Sequence, residues 1–139
     1  MIVVMDGQGG GIGARIIQGL RDKIGNDFEI WALGTNSIAT SRMMKAGANK
    51  GATGENAILQ SVKKADIITG PLAIIMPNSM MGEVTTAMAE AVCSCEGQKY
   101  LIPLTQEKVS LMGVSREPLP HLVEEAIEKI KNYIIDKRR

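Results

Sequence analysis

Five of the 15 glycines fall within nine residues, in Asp6-Gly7-Gln8-Gly9-Gly10-Gly11-Ile12-Gly13-Ala14. This stretch constrains the fold more than any other. It follows an apolar run, Ile2-Val3-Val4-Met5, which reads as a short buried strand. It leads into Ile16, Ile17, Leu20 and Ile24, an apolar stripe at helical spacing. A buried strand, a glycine turn and a helix start together make an anion-binding shape. Unpaired N–H groups and the positive end of the helix dipole converge there. The stretch therefore predicts a ligand class, one that bears phosphate, and leaves any reaction open.

The rest of the chain alternates strand and helix patterns. A helix is expected over 12–24, stopped by Gly25. A second strand over 28–33 closes at Gly34-Thr35-Asn36-Ser37, where Asn36 or Ser37 suits the cap of a helix running to about Ala46. Ile38, Met43, Met44 and Ala46 are its inward candidates. A short strand is expected near 48–52, with Thr53 capping a third helix and Glu55 in its first turn. Asp66-Ile67-Ile68-Thr69-Gly70-Pro71 is a further strand and its turn. A long helix is expected over 80–95, carrying Met81, Val84, Met88, Ala91 and Val92 inward. Residues 99–104 read as a strand and 109–114 as another. The four-residue link between them is too short for a crossover, so this pair is expected to be antiparallel. Residues 118–135 form the closing helix.

With 139 residues and no internal repeat, one domain is expected. The pattern predicts a Rossmann-like, three-layer α/β/α domain. Its sheet is mostly parallel, with a C-terminal antiparallel pair. A net charge of +1 gives no field that recruits nucleic acid. Aromatic content of 3% leaves few stacking platforms for single strands. No apolar run approaches the roughly 20 residues of a membrane span. Cys93 and Cys95 point to different helix faces, which disfavours a disulfide between them, and a single His leaves a closed zinc site without ligands. No metal site is expected. Reduced thiols, and a strand at the start of the sequence, point to the cytoplasm. Met76, Met80 and Met81 suit core filling or a homodimer face.

In parallel sheets of this kind, ligands bind at the carboxyl edge, where strand order reverses. Asp6, Gly7 and Gln8 follow the first strand, Thr35 and Asn36 the second, Gly70 the fourth, and Thr105 and Gln106 the fifth. Thr53, Glu55 and Asn78 rise from neighbouring helix starts. These residues, with Gly9, Gly10, Gly11, Ile12 and Gly13, are the candidate binding set. Asp6 suits a magnesium-bound water, a ribose hydroxyl or the N–H groups of its own turn equally. Glu55 and Glu83 sit where helix dipoles account for them. His121 reads as a surface residue. The absence of Lys-Ser/Thr after Gly13 excludes a P-loop.

Gly9, Gly11 and Ala14 match the dinucleotide pattern G-x-G-x-x-G/A. Gly7, Gly11, Ile12 and Gly13 match G-x-x-x-G-I-G, so the turn resembles that of the short-chain dehydrogenase/reductases. The segment Ala65-Asp66-Ile67-Ile68-Thr69-Gly70 loosely resembles a neighbouring strand in those enzymes. No acid ends the second strand, while Asn36 and Arg42 suit a 2′-phosphate. Within that resemblance NADP, or another adenine nucleotide, is the expected cofactor. Tyr133-Ile134-Ile135-Asp136-Lys137 carries the family's Tyr-x-x-x-Lys spacing, but in the terminal helix, and is given no catalytic role. The whole chain resembles a bacterial family catalogued as a domain of unknown function, number 3842. Asp6-Gly7-Gln8-Gly9-Gly10-Gly11-Ile12-Gly13, Ala32-Leu33-Gly34-Thr35-Asn36 and Ala52-Thr53-Gly54-Glu55-Asn56-Ala57 carry that resemblance. It implies a small Rossmann-like cytoplasmic protein and no assigned activity. The alternative is a non-catalytic oligomeric regulatory or interaction protein whose glycines serve packing.

Overall fold

A computed structural model of the chain describes residues 1–104, 107–115 and 117–138. Five strands form one sheet: β1 (Ile2–Asp6), β2 (Ile30–Gly34), β3 (Lys50–Thr53), β4 (Ile67–Pro71) and β5 (Gln98–Ile102). Their spatial order is β3-β2-β1-β4-β5, and every pairing is parallel. The helices are α1 (Gly11–Ile24), α2 (Ser37–Lys45), α3 (Glu55–Ser61), α4 (Thr86–Ser94) and α5 (Leu119–Lys137). Short 3-10 turns occupy Val62–Lys64 and Leu72–Ile75.

Strand residues alternate between two cores, as a period of two requires. Ile2, Val4, Ile30, Ala32, Ile67 and Ile102 pack with Ile16, Ile17 and Leu20 of α1, Met43 of α2 and the Leu122, Val123, Ala126, Ile127 and Ile130 stripe of α5. On the opposite face, Val3, Met5, Leu33 and Ile68 meet Ile58 of α3, Ile74, Val84, and Met88, Ala89 and Val92 of α4. All five residues of β1 are buried, so the strand leading into the glycine turn is the centre of the sheet. Strand order reverses there. The chain goes from β1 to β2 and β3 on one side, then returns to β4 and β5 on the other. A crevice at the carboxyl ends of β1 and β4 follows from that topology.

Three sequence expectations need correction. First, residues 98–102 join β4 in parallel, and 109–114 form no strand. Val109, Leu111, Met112 and Val114 are exposed, and Gly113 takes a left-handed turn at φ 80°. Their apolar character marks a surface segment between β5 and α5, with no neighbouring strand to bury it. The Thr105-Gln106 part of the predicted link lies outside the described residues. Second, the helix expected over 80–95 begins only at Thr86. Met80, Met81 and Gly82 take left-handed backbone at φ 55°, 56° and 88°, which a right-handed helix cannot contain. Met81, placed inward by periodicity, is 95% exposed. Third, Ile38 is 70% exposed. The inward face of α2 runs through Ala39, Thr40 and Met43 instead.

The true cap of α4 is Thr85, whose side chain accepts the Met88 N–H at 3.2 Å. Thr85→Ala is expected to cost about 1 kcal/mol, read as a lower urea midpoint at unchanged slope.

Candidate functional site

The glycine turn starts from a buried carboxylate. Asp6 Oδ1 accepts the Gly7 N–H at 2.8 Å, and Oδ2 accepts the Gly13 N–H at 2.7 Å. Asp6 thus ties the first residue of the turn to the first turn of α1, and it supplies the cap that Gly10, at the N-cap position, has no side chain to give. Burial pushes its carboxyl above the ordinary carboxylate range. The N–H bonds from Gly13, Gly7 and Ile12 pull downward, and the Glu83 charge adds to the upward push. Of the roles open to Asp6, the geometry supports the turn role. Gly10 turns left-handed at φ 72°, and its N–H closes on the Gly7 carbonyl at 2.9 Å. Gly13 lies under Met43, where a Cβ would come within 2.5 Å of the sulfur.

Residues 76–85 cross over this turn. Their path is fixed by the Asn78 N–H on the Val84 carbonyl at 2.7 Å, the buried Ser79 hydroxyl on the Ala73 carbonyl at 2.6 Å, and the Met80 N–H on Glu107 Oε1 at 2.9 Å. Glu83 ends the crossing. One of its oxygens, Oε1, accepts from the Gln8 N–H at 2.8 Å, the Thr35 hydroxyl at 2.7 Å and the Asn36 side-chain amide at 2.8 Å. Desolvation works upward on this carboxyl, but the bonds from Thr35, Gln8 and Asn36 together hold it below its ordinary value. Asn36 also caps α2 by accepting the Ala39 N–H at 2.9 Å, and it donates to the Gln8 carbonyl at 2.9 Å. Arg42, one turn further along α2, reaches the Gly9 carbonyl at 3.3 Å. That puts a cation beside the glycine turn.

A cleft of about 710 Å³ opens at the β1/β4 switch. Asp6, Gly7, Gln8, Gly9, Gly10, Gly11 and Ile12 line one wall, and Pro71, Ala73, Asn78, Met80, Met81, Leu104 and Glu107 line the other. That volume is within the range of small-molecule sites, which are mostly apolar with a few placed polar groups. Of the sequence candidates, eight line it: Asp6, Gly7, Gln8, Gly9, Gly10, Gly11, Ile12 and Asn78. Gly13 and Gly70 lie behind it; a Cβ at Gly70 would run into the Met5 carbonyl of β1. Thr35 and Asn36 sit on the far side of Glu83. Thr53 pairs with the Thr40 hydroxyl at 2.7 Å and does not cap α3, whose N-cap is Gly54. Neither Thr53 nor the exposed Glu55 lines the cleft.

Sequence reasoning missed the apolar wall from Met80, Met81 and Leu104, and it missed the reach of Glu83. It credited Glu83 to a helix start that lies three residues further on. Gly82 inside the supposed helix, and Thr85 as a better cap, were the available signals. Tyr133 and Lys137 lie at the amino edge of the sheet, around a second hollow with Met1, Ile2 and Phe28. They are remote from the glycine turn.

Fold and crevice together define a Rossmann-like α/β protein with a glycine turn at its topological switch point. The chain belongs to the family described as Domain of unknown function (DUF3842), whose model matches residues 1–135. Among solved structures it is similar to a dodecameric FMN-dependent UbiX-like decarboxylase from Escherichia coli O157:H7. The identity is 12%, the TM-score is 0.54, and the match covers 96% of this chain and 94% of the other. At that identity the likeness is one of fold. No curated protein matches the chain significantly. Among the described residues no helix is long and apolar enough to cross a membrane.

Proposed function

We propose that this protein binds a phosphate-bearing nucleotide in the cleft at the carboxyl ends of β1 and β4, with the phosphate on loop 7–13. The observation that carries this reading is the coincidence of the cleft, the glycine turn and the α1 N-terminus at the point where strand order reverses. The FMN named for the similar decarboxylase is consistent with it, as is the expectation of NADP or an adenine nucleotide. The apolar wall fits the nucleoside side of such a ligand.

Purified protein is expected to melt later with at least one of FMN, AMP, NAD or NADP, by about 2.7 kcal/mol at 100 times Kd. Gly11→Val supplies the control. A Cβ there meets only the far end of the Arg42 side chain, at 3.4 Å, so the variant is expected to fold while intruding on the turn, which its urea midpoint checks. A ligand response that survives Gly11→Val unchanged, or no response from any of the four, would sink the reading.

A second reading, an oligomeric interaction protein, is favoured by exposed apolar side chains on the surface. Met81 and Met112 are 95% and 84% exposed, with Leu104, Val109, Leu111 and Val114 also exposed. A homodimer covering Met81 and Met112 belongs to this reading. Light scattering of the wild-type chain and of Met81→Lys/Met112→Lys distinguishes it: a monomer in both removes it.

A further inference from the structure

We infer that the crossing of residues 76–85 divides the carboxyl edge of the sheet and makes the site one for a mononucleotide, closed to a dinucleotide. The inference rests on the nucleotide reading and narrows its ligand. A dinucleotide laid over a Rossmann crevice needs both sides of the switch point. One nucleoside lies on the β4 side, the pyrophosphate on the glycine turn, and the second nucleoside over the end of β2. Here the two sides differ. The β4 side is the open cleft. The passage from the turn to β2 is filled.

The filling is specific. An atom added as a Cβ on Gly7 would run into the Thr35 hydroxyl and lie 2.6 Å from the Met80 sulfur and 3.1 Å from Glu83 Oε1. Three side chains from two segments therefore meet above Gly7 with no room for a ribose between them. The Glu83 carboxylate takes the Thr35 hydroxyl and the Asn36 amide, the donors the end of β2 would offer a second nucleoside or its phosphate, and with them the Gln8 N–H of the glycine turn. Its negative charge also repels a 2′-phosphate there. The backbone that delivers it is costly. Asn78, Met80 and Met81 are non-glycine residues at φ 66°, 55° and 56°, and Gly82 follows at 88°. Left-handed backbone at such residues persists only where the surroundings over-determine it. Here the surroundings are the Ala73, Val84 and Glu107 bonds on one side and the Glu83 clamp on the other. The NADP expectation from Asn36 and Arg42 gives way on this geometry, because Asn36 is already engaged by an acid that the second strand itself lacks.

Matched probes test it: FMN against FAD, NMN against NAD, and AMP against NAD, titrated by calorimetry into the wild-type protein. In any pair that binds, the mononucleotide is expected to be about tenfold or more tighter, since the added nucleoside meets an occupied surface. Glu83→Ala, which removes the clamp, is expected to narrow that gap to about threefold or less by admitting the second nucleoside. Glu83→Gln keeps the shape and some of the bonds, so it is expected to hold the preference. A dinucleotide binding as tightly as its mononucleotide half in the wild type would overturn the inference and leave the nucleotide reading standing. If neither these five probes nor NADP binds, both fall; NADP binding alone leaves the nucleotide reading standing and overturns the inference. A gap unchanged in a folded Glu83→Ala would also overturn it, by showing that the clamp is not what excludes the larger ligand.

Discussion

Gly10→Ala is expected to lower stability by about 3–4 kcal/mol, adding a left-handed penalty of about 1–2 to an overpacking cost of similar or larger size. The position combines two constraints. Its backbone is left-handed, at φ 72° and ψ 15°. A Cβ would lie 2.8 Å from Ala39 Cα and 2.9 Å from the Ala39 carbonyl oxygen, both backbone atoms of α2. A flexible side chain moves aside for a methyl group; a helix backbone moves only as a unit, and α2 is pinned through Asn36 to Gln8 and Glu83. Gly11→Ala is the control. Its φ is not left-handed, and the nearest atom is the Arg42 guanidinium at 3.4 Å. Urea denaturation of the two variants should therefore separate by several kcal/mol, although the substitutions are adjacent and chemically identical. If Gly10→Ala costs less than about 1 kcal/mol, the close approach of α1 and α2 is not what this glycine serves.

The same contrast explains how much was legible in the sequence. The strand–turn–helix beginning at Ile2 and a mostly parallel sheet follow from local patterns; the parallel place of the fifth strand does not. The apolar runs Ile2-Val3-Val4-Met5 and Ile67-Ile68 are buried strands, and glycine-bearing turns follow them. Asn36 as a cap was legible for the same reason: one side chain bonding three residues on. The misreadings came where apolar spacing does not report burial. Met81 and Ile38 fit helical stripes, yet one lies in a left-handed turn and the other on the outer face of α2. The 109–114 run has the composition of a strand and no neighbouring strand to pair with.

Glu83 was illegible for another reason. Its role depends on three partners at sequence separations of 75, 48 and 47 residues, none of which marks the others. Of the candidates taken from turn chemistry, those on the first loop converge on the cleft, because one short segment carries them. Thr53 and Glu55 do not, because β3 is the outermost strand on its side and the sheet spreads its carboxyl edge over several strands. Turn composition finds the edge of a parallel sheet; only the strand order says which turns share a crevice.

Asp6→Ala is expected to cost about 3 kcal/mol near pH 5, since it leaves two donors without their acceptor, each worth about 1–3 when buried. Those donors are the N–H groups of Gly7 and Gly13, at the two ends of the glycine turn. The pH dependence identifies the cause. Burial raises the Asp6 carboxyl above its ordinary value of about 3.8. The folded state therefore holds a proton that the unfolded chain releases, and wild-type stability from this group is fully present below about 3.8 and is lost as pH rises through the folded value. Alanine does not titrate. The penalty of Asp6→Ala should accordingly shrink as pH rises above 3.8. Glu83 runs the other way. Its carboxyl is held below 4.5 in the folded state, so its contribution is present above 4.5 and is lost as pH falls through the folded value. The penalty of Glu83→Gln should shrink toward acid. Two carboxylates that touch the same glycine turn thus predict stability differences of opposite slope, Glu83 below pH 4.5 and Asp6 above pH 3.8, measurable as urea midpoints from about pH 2 to about pH 8. Parallel slopes would mean that the N–H bonds outweigh burial at Asp6. The turn would then be held by a carboxylate that is ionised at least as readily as in the unfolded chain, and an anion on loop 7–13 would meet its full charge.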